Sequence, residues 1–274
     1  MRRLVVNADD LGAGEARDPG ILEAHRHGIV TSVSVLSQGP SCRAAMRLLR
    51  GSPELDAGIH INLSEGRPLS RRVRTLVDPA TGCFWGKTEA RRRALEGLFD
   101  PEEIEREAGA QMDRLFEEGI RPSHVDGHHH LHVYGCVAAP VARAAAARGI
   151  RRYRRPAESL LPPIPLEAGR LWTLEEYRRQ ALQAQEAYAR EGLSSTDVFA
   201  GAALSGHLSF EALAAVFKRL PEGTAELMVH PGYADAAAGF SGPARDAERR
   251  LLTDPAVRVL LDLLGIRLAR WSDL

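Results

Sequence analysis

The sequence predicts one α/β domain built on a mostly parallel sheet, a single-domain (β/α) barrel. Three observations carry this. Short apolar runs rich in Val and Ile alternate with amphipathic helical stretches along the whole chain. The length, 274 residues, suits one βα barrel. No internal repeat, low-complexity segment or linker divides the chain, so residues 1–274 form one domain, with irregular excursions near 64–99 and 156–171.

Leu4-Val5-Val6 reads as a buried strand that ends in Asp9-Asp10-Leu11-Gly12. A helix over Pro19–Arg26 follows, with Asp18 as N-cap, Pro19 at its first position and Gly28 past its end. Ser32–Leu36 is the second strand, and Ser41 caps a helix that reaches Arg50. In Ala57–Leu63, the third strand, Ile59, Ile61 and Leu63 alternate with His60 and Asn62. One face is then apolar and the other carries an imidazole and an amide. Residues 64–99 lack periodicity and are punctuated by Pro68, Pro79, Gly82 and Gly86. Such an excursion after a barrel strand commonly forms an active-site loop or lid. Within it Phe84-Trp85 reads either as a surface for a sugar face or as a hydrophobic pin.

Asp100-Pro101-Glu102-Glu103 is a strong helix start, and Ile104, Ala108, Met112, Leu115 and Phe116 then share one face. Ile120–His124 leads into the fourth strand, with the histidine cluster at its end. An Ala-rich helix covers Pro140–Arg148. Arg151–Arg155 is a fifth strand whose arginines read as a solvated edge in preference to an anion contact. Thr173 with Glu176 reads as a capping box for a helix reaching Arg190. Asp197–Ala200 is a weak sixth strand, Phe210–Leu220 a helix, and Glu226–Tyr233 a seventh strand ending at His230, where Pro231-Gly232 turns the chain. A helix through Arg249–Leu252, a last one capped by Asp254-Pro255, and a final strand over Ile266–Trp271 complete the order.

Lys+Arg and Asp+Glu both count 36, a balance that argues against a nucleic-acid partner. Cys42, Cys83 and Cys136 are too few and too scattered for a disulfide framework or a thiolate metal site. The run after Arg2-Arg3 stops at Asn7-Ala8-Asp9-Asp10, too short for a signal peptide, and no apolar stretch is long enough to span a bilayer. A cytoplasmic location is the default expectation. The oligomeric state, a homo-oligomer included, is not written in the sequence.

Four polar clusters share a position. Asp9/Asp10, His60, His124–His132 and His230 each follow an apolar strand at its carboxyl end. Parallel βα folds gather those ends on one face. The nine residues from His124 to His132 hold five imidazoles and the Asp126 carboxylate. Two imidazoles and one carboxylate with an open position make a catalytic metal site, and a second carboxylate can serve as base. His25, His27 and His207 read as ordinary surface or helix-end residues.

On these residues the chain resembles the YdjC-like carbohydrate deacetylases, a family that includes chitooligosaccharide deacetylases and is distantly similar to NodB-type polysaccharide deacetylases. The matching motifs are Asn7-Ala8-Asp9-Asp10-Leu11-Gly12, Gly58-Ile59-His60, His124-Val125-Asp126-Gly127-His128-His129-His130 and His230-Pro231-Gly232-Tyr233. The resemblance implies a divalent-metal-dependent hydrolase on a βα barrel that removes acetyl groups from N-acetylated sugars. By motif position it makes Asp10, His60 and His128 the ligands of one metal ion. It makes Asp9 the base for the attacking water. His230 is then the acid that protonates the departing amine or the group that steadies the oxyanion.

Two His and one Asp suit zinc, and the resemblance leaves magnesium open. Were the fourth strand to continue, His128, His130 and His132 would alternate onto one face, and His130 or His132 would replace His128. Asp126 would orient a ligand imidazole. One departure stands out. The family pattern has an Asn shortly before its Gly-Ile, where this chain reads Asp18-Pro19-Gly20-Ile21, which bears on specificity rather than on the metal. The expected partner is a small N-acetylated sugar, with neither nucleic acid nor membrane. The competing readings are a metal-dependent amide or ester hydrolase of another substrate and a non-catalytic sugar-binding relative.

Overall fold

A computed structural model describes residues 1–235 and 242–274. In chain order the strands and helices are β1 (Arg2–Leu11), α1 (Arg17–Arg26), β2 (Ser32–Val35), α2 (Cys42–Arg50), β3 (Asp56–Ile61), α3 (Lys87–Leu95), α4 (Pro101–Glu117) and β4 (Val125–Gly127). They continue as α5 (Ala138–Ala147), α6 (Ala168–Arg190), β5 (Val198–Ala200), α7 (Phe210–Arg219), β6 (Gly223–Val229), α8 (Pro243–Thr253), α9 (Pro255–Leu263) and β7 (Ile266–Ala269). The strands form one seven-stranded sheet in the order β4-β3-β2-β1-β6-β5, with β7 also on β1. Every pairing is parallel. The expected α/β domain is therefore present as a curled parallel sheet.

β1 is the axis. One edge pairs with β6 from Arg2 to Ala8; the other pairs with β7 over Arg2–Val5 and then with β2 from Asn7 onward. From Leu4 to Leu11 every residue of β1 is buried on both faces, as expected of a parallel strand covered by helices. Beyond β4 the curl continues through single bridges, Val125 to Tyr153 and Arg152 to Ser194, and Ser194 stands four residues before β5. The expected fifth strand at Arg151–Arg155 is thus two bridges and not a ladder.

β1 runs to Leu11 and carries Asp9 and Asp10 near its end, where the sequence put them. Other expectations shift for local reasons. Asp18 does not cap α1; its carboxylate accepts from Gly12 N (2.8 Å) and Ser41 Oγ (2.7 Å), tying the loop after β1 to the start of α2. That also removes Ser41 from its expected capping role. Residues 64–99 contain α3, whose weakly apolar sequence hides a helix. α6 starts at Ala168, so Thr173 and Glu176 lie inside it, with Thr173 Oγ1 donating back to Gly169 O at 2.9 Å. Phe84-Trp85 is the pin: Phe84 is buried, and Trp85 Nε1 donates to Thr75 O at 2.8 Å under the Arg93 guanidinium.

The excursion after β3 is strapped to α4 by three buried side chains one turn apart. Glu103 accepts from the backbone N–H groups of Arg74 and Thr75, Glu107 from those of Leu69 and Ser70, and Gln111 holds Asn62 through both its N–H and its carbonyl. The Asp100 cap bonds Glu102 N at 2.8 Å as expected. Glu103, expected to close the capping box, serves the strap instead. The charge-assisted bonds to Glu103 and Glu107 are each worth about 1.5–3 kcal/mol and the neutral Gln111 bonds about 0.5–1.5 kcal/mol, and together they fix the segment that carries Asn62, Ser64 and Glu65.

Candidate active site

The site is built from strand ends. Successive strand residues point to opposite faces, so Asp9 and Asp10 should diverge. A register shift in β1 between Ala8 and Leu11, with Asp10 at φ 70°, breaks that alternation. Left-handed backbone is strained for a non-glycine residue, and Asp is among those that tolerate it. As a result both carboxylates line one cavity of about 180 Å³, together with His60, His128, His130 and His230. A neighbouring cavity of about 590 Å³ shares Asp10, His128 and His129.

At the centre three donor atoms converge. Asp10 Oδ1 lies 3.1 Å from His128 Nδ1 and 3.6 Å from His60 Nε2, and the two ring nitrogens are 3.4 Å apart. A point about 2 Å from all three exists, and zinc bonds to nitrogen and oxygen are about 2.0–2.2 Å long. Asp10 Oδ1 is buried with no hydrogen-bond partner, an expensive arrangement unless something else meets it. His60 Nδ1 is held by Asp126 Oδ1 at 2.7 Å, which leaves Nε2 as the nitrogen offered, the usual support of a ligating imidazole. The residues present therefore fit a divalent cation. Burial pushes the Asp10 carboxyl up, but Arg245, His128 and His60 outweigh it and hold it well below the usual range. Arg245 donates to Asp10 Oδ2, fixing the carboxylate from behind.

Asp9 is held differently. Arg154 makes a fork to it, NH1 to Oδ2 at 2.6 Å and NH2 to Oδ1 at 2.7 Å, and Asn7 Nδ2 donates to Oδ1 at 2.8 Å. The same guanidinium reaches Asp126 Oδ2 (2.8 Å) and Glu226 Oε1 (2.7 Å), and it is wholly buried. Sequence reasoning missed Arg154 and placed it on a solvated edge; it is instead the cation on which three carboxylates from three strands converge. It also gave no role to Glu226, which pairs with Arg154, or to Arg245, which pairs with Asp10.

The histidine cluster divides by role. Gly127 ends β4, and His128–Val133 wind into a tight turn with His129 and His130 at φ 55° and 59°. The strand does not continue, so His130 and His132 do not alternate with His128. His130 packs edge-on against Tyr177 and Phe199, and His132 Nε2 bonds Arg154 O at 2.9 Å. Neither joins Asp10 and His60 in the donor group. His124 is a core residue, stacked on Trp271 and bonded to Ser34 and Ser123. Gly58 and Gly127 are required by these rings: a Cβ at Gly58 would stand 2.2 Å from His124, and one at Gly127 2.9 Å from His132.

Burial pushes the His124 and His132 imidazoles down to about 4. Unfolded, each takes a proton near 6.5. Between those values the unfolded chain binds more protons, so stability rises with pH. We expect the melting temperature to fall steeply as pH drops from 6.5 to 4, each ring contributing roughly 3 kcal/mol at the lower end. A flat melting profile across that window would contradict it.

The fold and cavity define an α/β protein with a carboxylate–imidazole site at the carboxyl ends of parallel strands, the arrangement of a hydrolytic enzyme. The family model of YdjC-like proteins matches residues 3–263, and the chain belongs to the YdjC-like carbohydrate deacetylase family. It is 37% identical to a mouse protein named carbohydrate deacetylase, covering 99% of this chain and 94% of that one. It is 32% identical to a Klebsiella pneumoniae protein named chitooligosaccharide deacetylase, covering 99% of both. A solved structure from Enterococcus faecalis V583, provisionally named for cellobiose-phosphate cleavage, superposes with a TM-score of 0.79 at 26% identity, covering 99% of this chain and 98% of that one. Among the described residues no helix is long and apolar enough to cross a membrane.

Proposed function

We propose that this chain hydrolyses the acetamide of an N-acetylated sugar, with Asp10, His60 and His128 holding one divalent cation, zinc or magnesium. The observation that carries the reading is the convergence of those three donors within 3.6 Å of one another, in a cavity that Asp9 and His230 also line. When bound, a cation there polarises the amide carbonyl and acidifies water.

The chain's own residues supply the rest. Asp9 takes the proton of the attacking water. Arg154 and Asn7 hold its plane fixed and fill Oδ1, leaving a lone pair on Oδ2 for that proton. Burial, then Arg245, push the His230 imidazole down to about 4. It therefore enters neutral, and its ring N–H serves as a donor to the developing oxyanion. Of the two roles that the sequence gave His230, this favours steadying the oxyanion. The proton on Asp9 then passes to the nitrogen as the C–N bond breaks, releasing acetate and the amine. A cavity of about 180 Å³ opening beside one of about 590 Å³ suits one sugar unit at the reacting centre and further units beyond it.

Acetate release from N-acetylglucosamine oligosaccharides is the test, run beside simple acyl esters. Release is expected, lost on chelation and restored by added cation. A cation-loaded protein that frees no acetate from a broad panel of acetylated sugars would overturn the reading.

A further inference from the structure

His128 has a second ring nitrogen that the Asp10 group does not use. Its Nε2 stands 3.4 Å from Glu65 Oε2, and Glu65 Oε1 stands 3.7 Å from His129 Nε2. The two rings lie 4.0 Å apart between centroids, tilted by 39°. Ser64 Oγ, one residue before Glu65, is 2.9 Å from His129 Nδ1. That engages one nitrogen of His129 and leaves Nε2 to be offered, as Asp126 does for His60. The backbone cooperates. His129 sits at φ 55°, a strained conformation for histidine, and that turn sets two consecutive rings against one carboxylate. All three donors lie within 4.8 Å of one another.

We propose that Glu65, His128 and His129 form a second divalent-cation site that takes zinc, and that an ion bound there inhibits the enzyme. Two imidazoles and one carboxylate suit zinc, whereas magnesium favours oxygen ligands. Were both sites filled, His128 would offer Nδ1 to the first ion and Nε2 to the second, releasing its remaining ring proton to the buffer. His128 and His129 line both cavities, so the second ion stands where substrate must pass. The inhibition rests on the deacetylase reading; the site itself does not. Glu65 is largely exposed, so its substitution leaves the core untouched.

The test strips the full chain with chelator and titrates it with zinc chloride by calorimetry, counting bound metal by mass spectrometry. Wild type is expected to take two zinc ions, the second at least about tenfold more weakly and with proton release, but only one magnesium. Glu65→Gln and His129→Gln are each expected to take one zinc. Excess zinc should depress acetate release about tenfold in wild type and leave Glu65→Gln unaffected. Wild type saturating at one zinc, or both variants still taking two, overturns the proposal. A chain that counts two zinc ions but frees no acetate under any loading sinks the deacetylase reading and leaves this site standing; acetate release with a count of one does the reverse.

Discussion

Asp10→Asn is expected to abolish the divalent-cation binding proposed for Asp10, His60 and His128 and to lower kcat for acetate release by well over 100-fold. Losing only the partner of a ligand typically costs about 10–100-fold, and here the proposed ligand itself is neutralised. Asp10 Oδ1 is the charged donor that faces both His60 Nε2 and His128 Nδ1, so the amide leaves two neutral imidazoles to hold a dication. Arg245, which bonds Asp10 Oδ2, still has an oxygen or amide to meet, and the fold should survive. Asp9→Asn makes the contrast. It removes a base without touching the donor group, so the cation stays while kcat falls by roughly 10²–10⁴-fold, the usual weight of general-base catalysis. Metal content and acetate kinetics on the two purified variants separate the roles. An Asp10→Asn protein that keeps its metal and its rate would remove Asp10 from the ligand set; an Asp9→Asn protein with an unchanged rate would remove Asp9 as base.

The donor group was legible in the sequence because it depends on residue type at strand ends. Apolar runs ending in Asp9-Asp10, His60, the histidine cluster and His230 need only a parallel sheet to bring them together, and the sheet was legible from alternating periodicities. What held those residues in place was not. Arg154 sits in a run of arginines that reads as surface charge, and its partners Asp9, Asp126 and Glu226 lie 145, 28 and 72 residues away. Nothing local distinguishes it. The bulge at Asp10 and the left-handed turn at His129-His130 are likewise set by tertiary packing, since neither position is a glycine that would announce it. Local capping signals failed where a stronger use existed. Asp18 and Glu103 have the side chains of caps, but each is spent on a loop, and Thr173 with Glu176 mimics a helix start inside α6.

Arg154→Met should be the most damaging substitution for the fold. The guanidinium is fully buried, and it bonds Asp9, Asp126 and Glu226 at once. A buried ion pair is weak evidence for stability when both partners can be replaced, but removing one partner alone costs about 3–5 kcal/mol. Here the change leaves three carboxylates facing each other. Burial already pushes the Glu226 carboxyl up to about 7 in spite of Arg154, so without the guanidinium it stays protonated over a wider range. Melting should drop on the order of 10 °C for a chain of this size, with most of the loss appearing above neutral pH, where the carboxylates must ionise together. Arg154→Lys keeps the charge but cannot fork, since an ammonium is a single point of charge. It should recover part of the stability and little of kcat, because Asp9 is no longer held in plane. Pairing Arg154→Met with Glu226→Gln tests the cause: removing one of the stranded charges should return part of the lost melting temperature. If the double variant melts no higher than Arg154→Met alone, the loss comes from packing around the arginine stem and not from the carboxylates it neutralises.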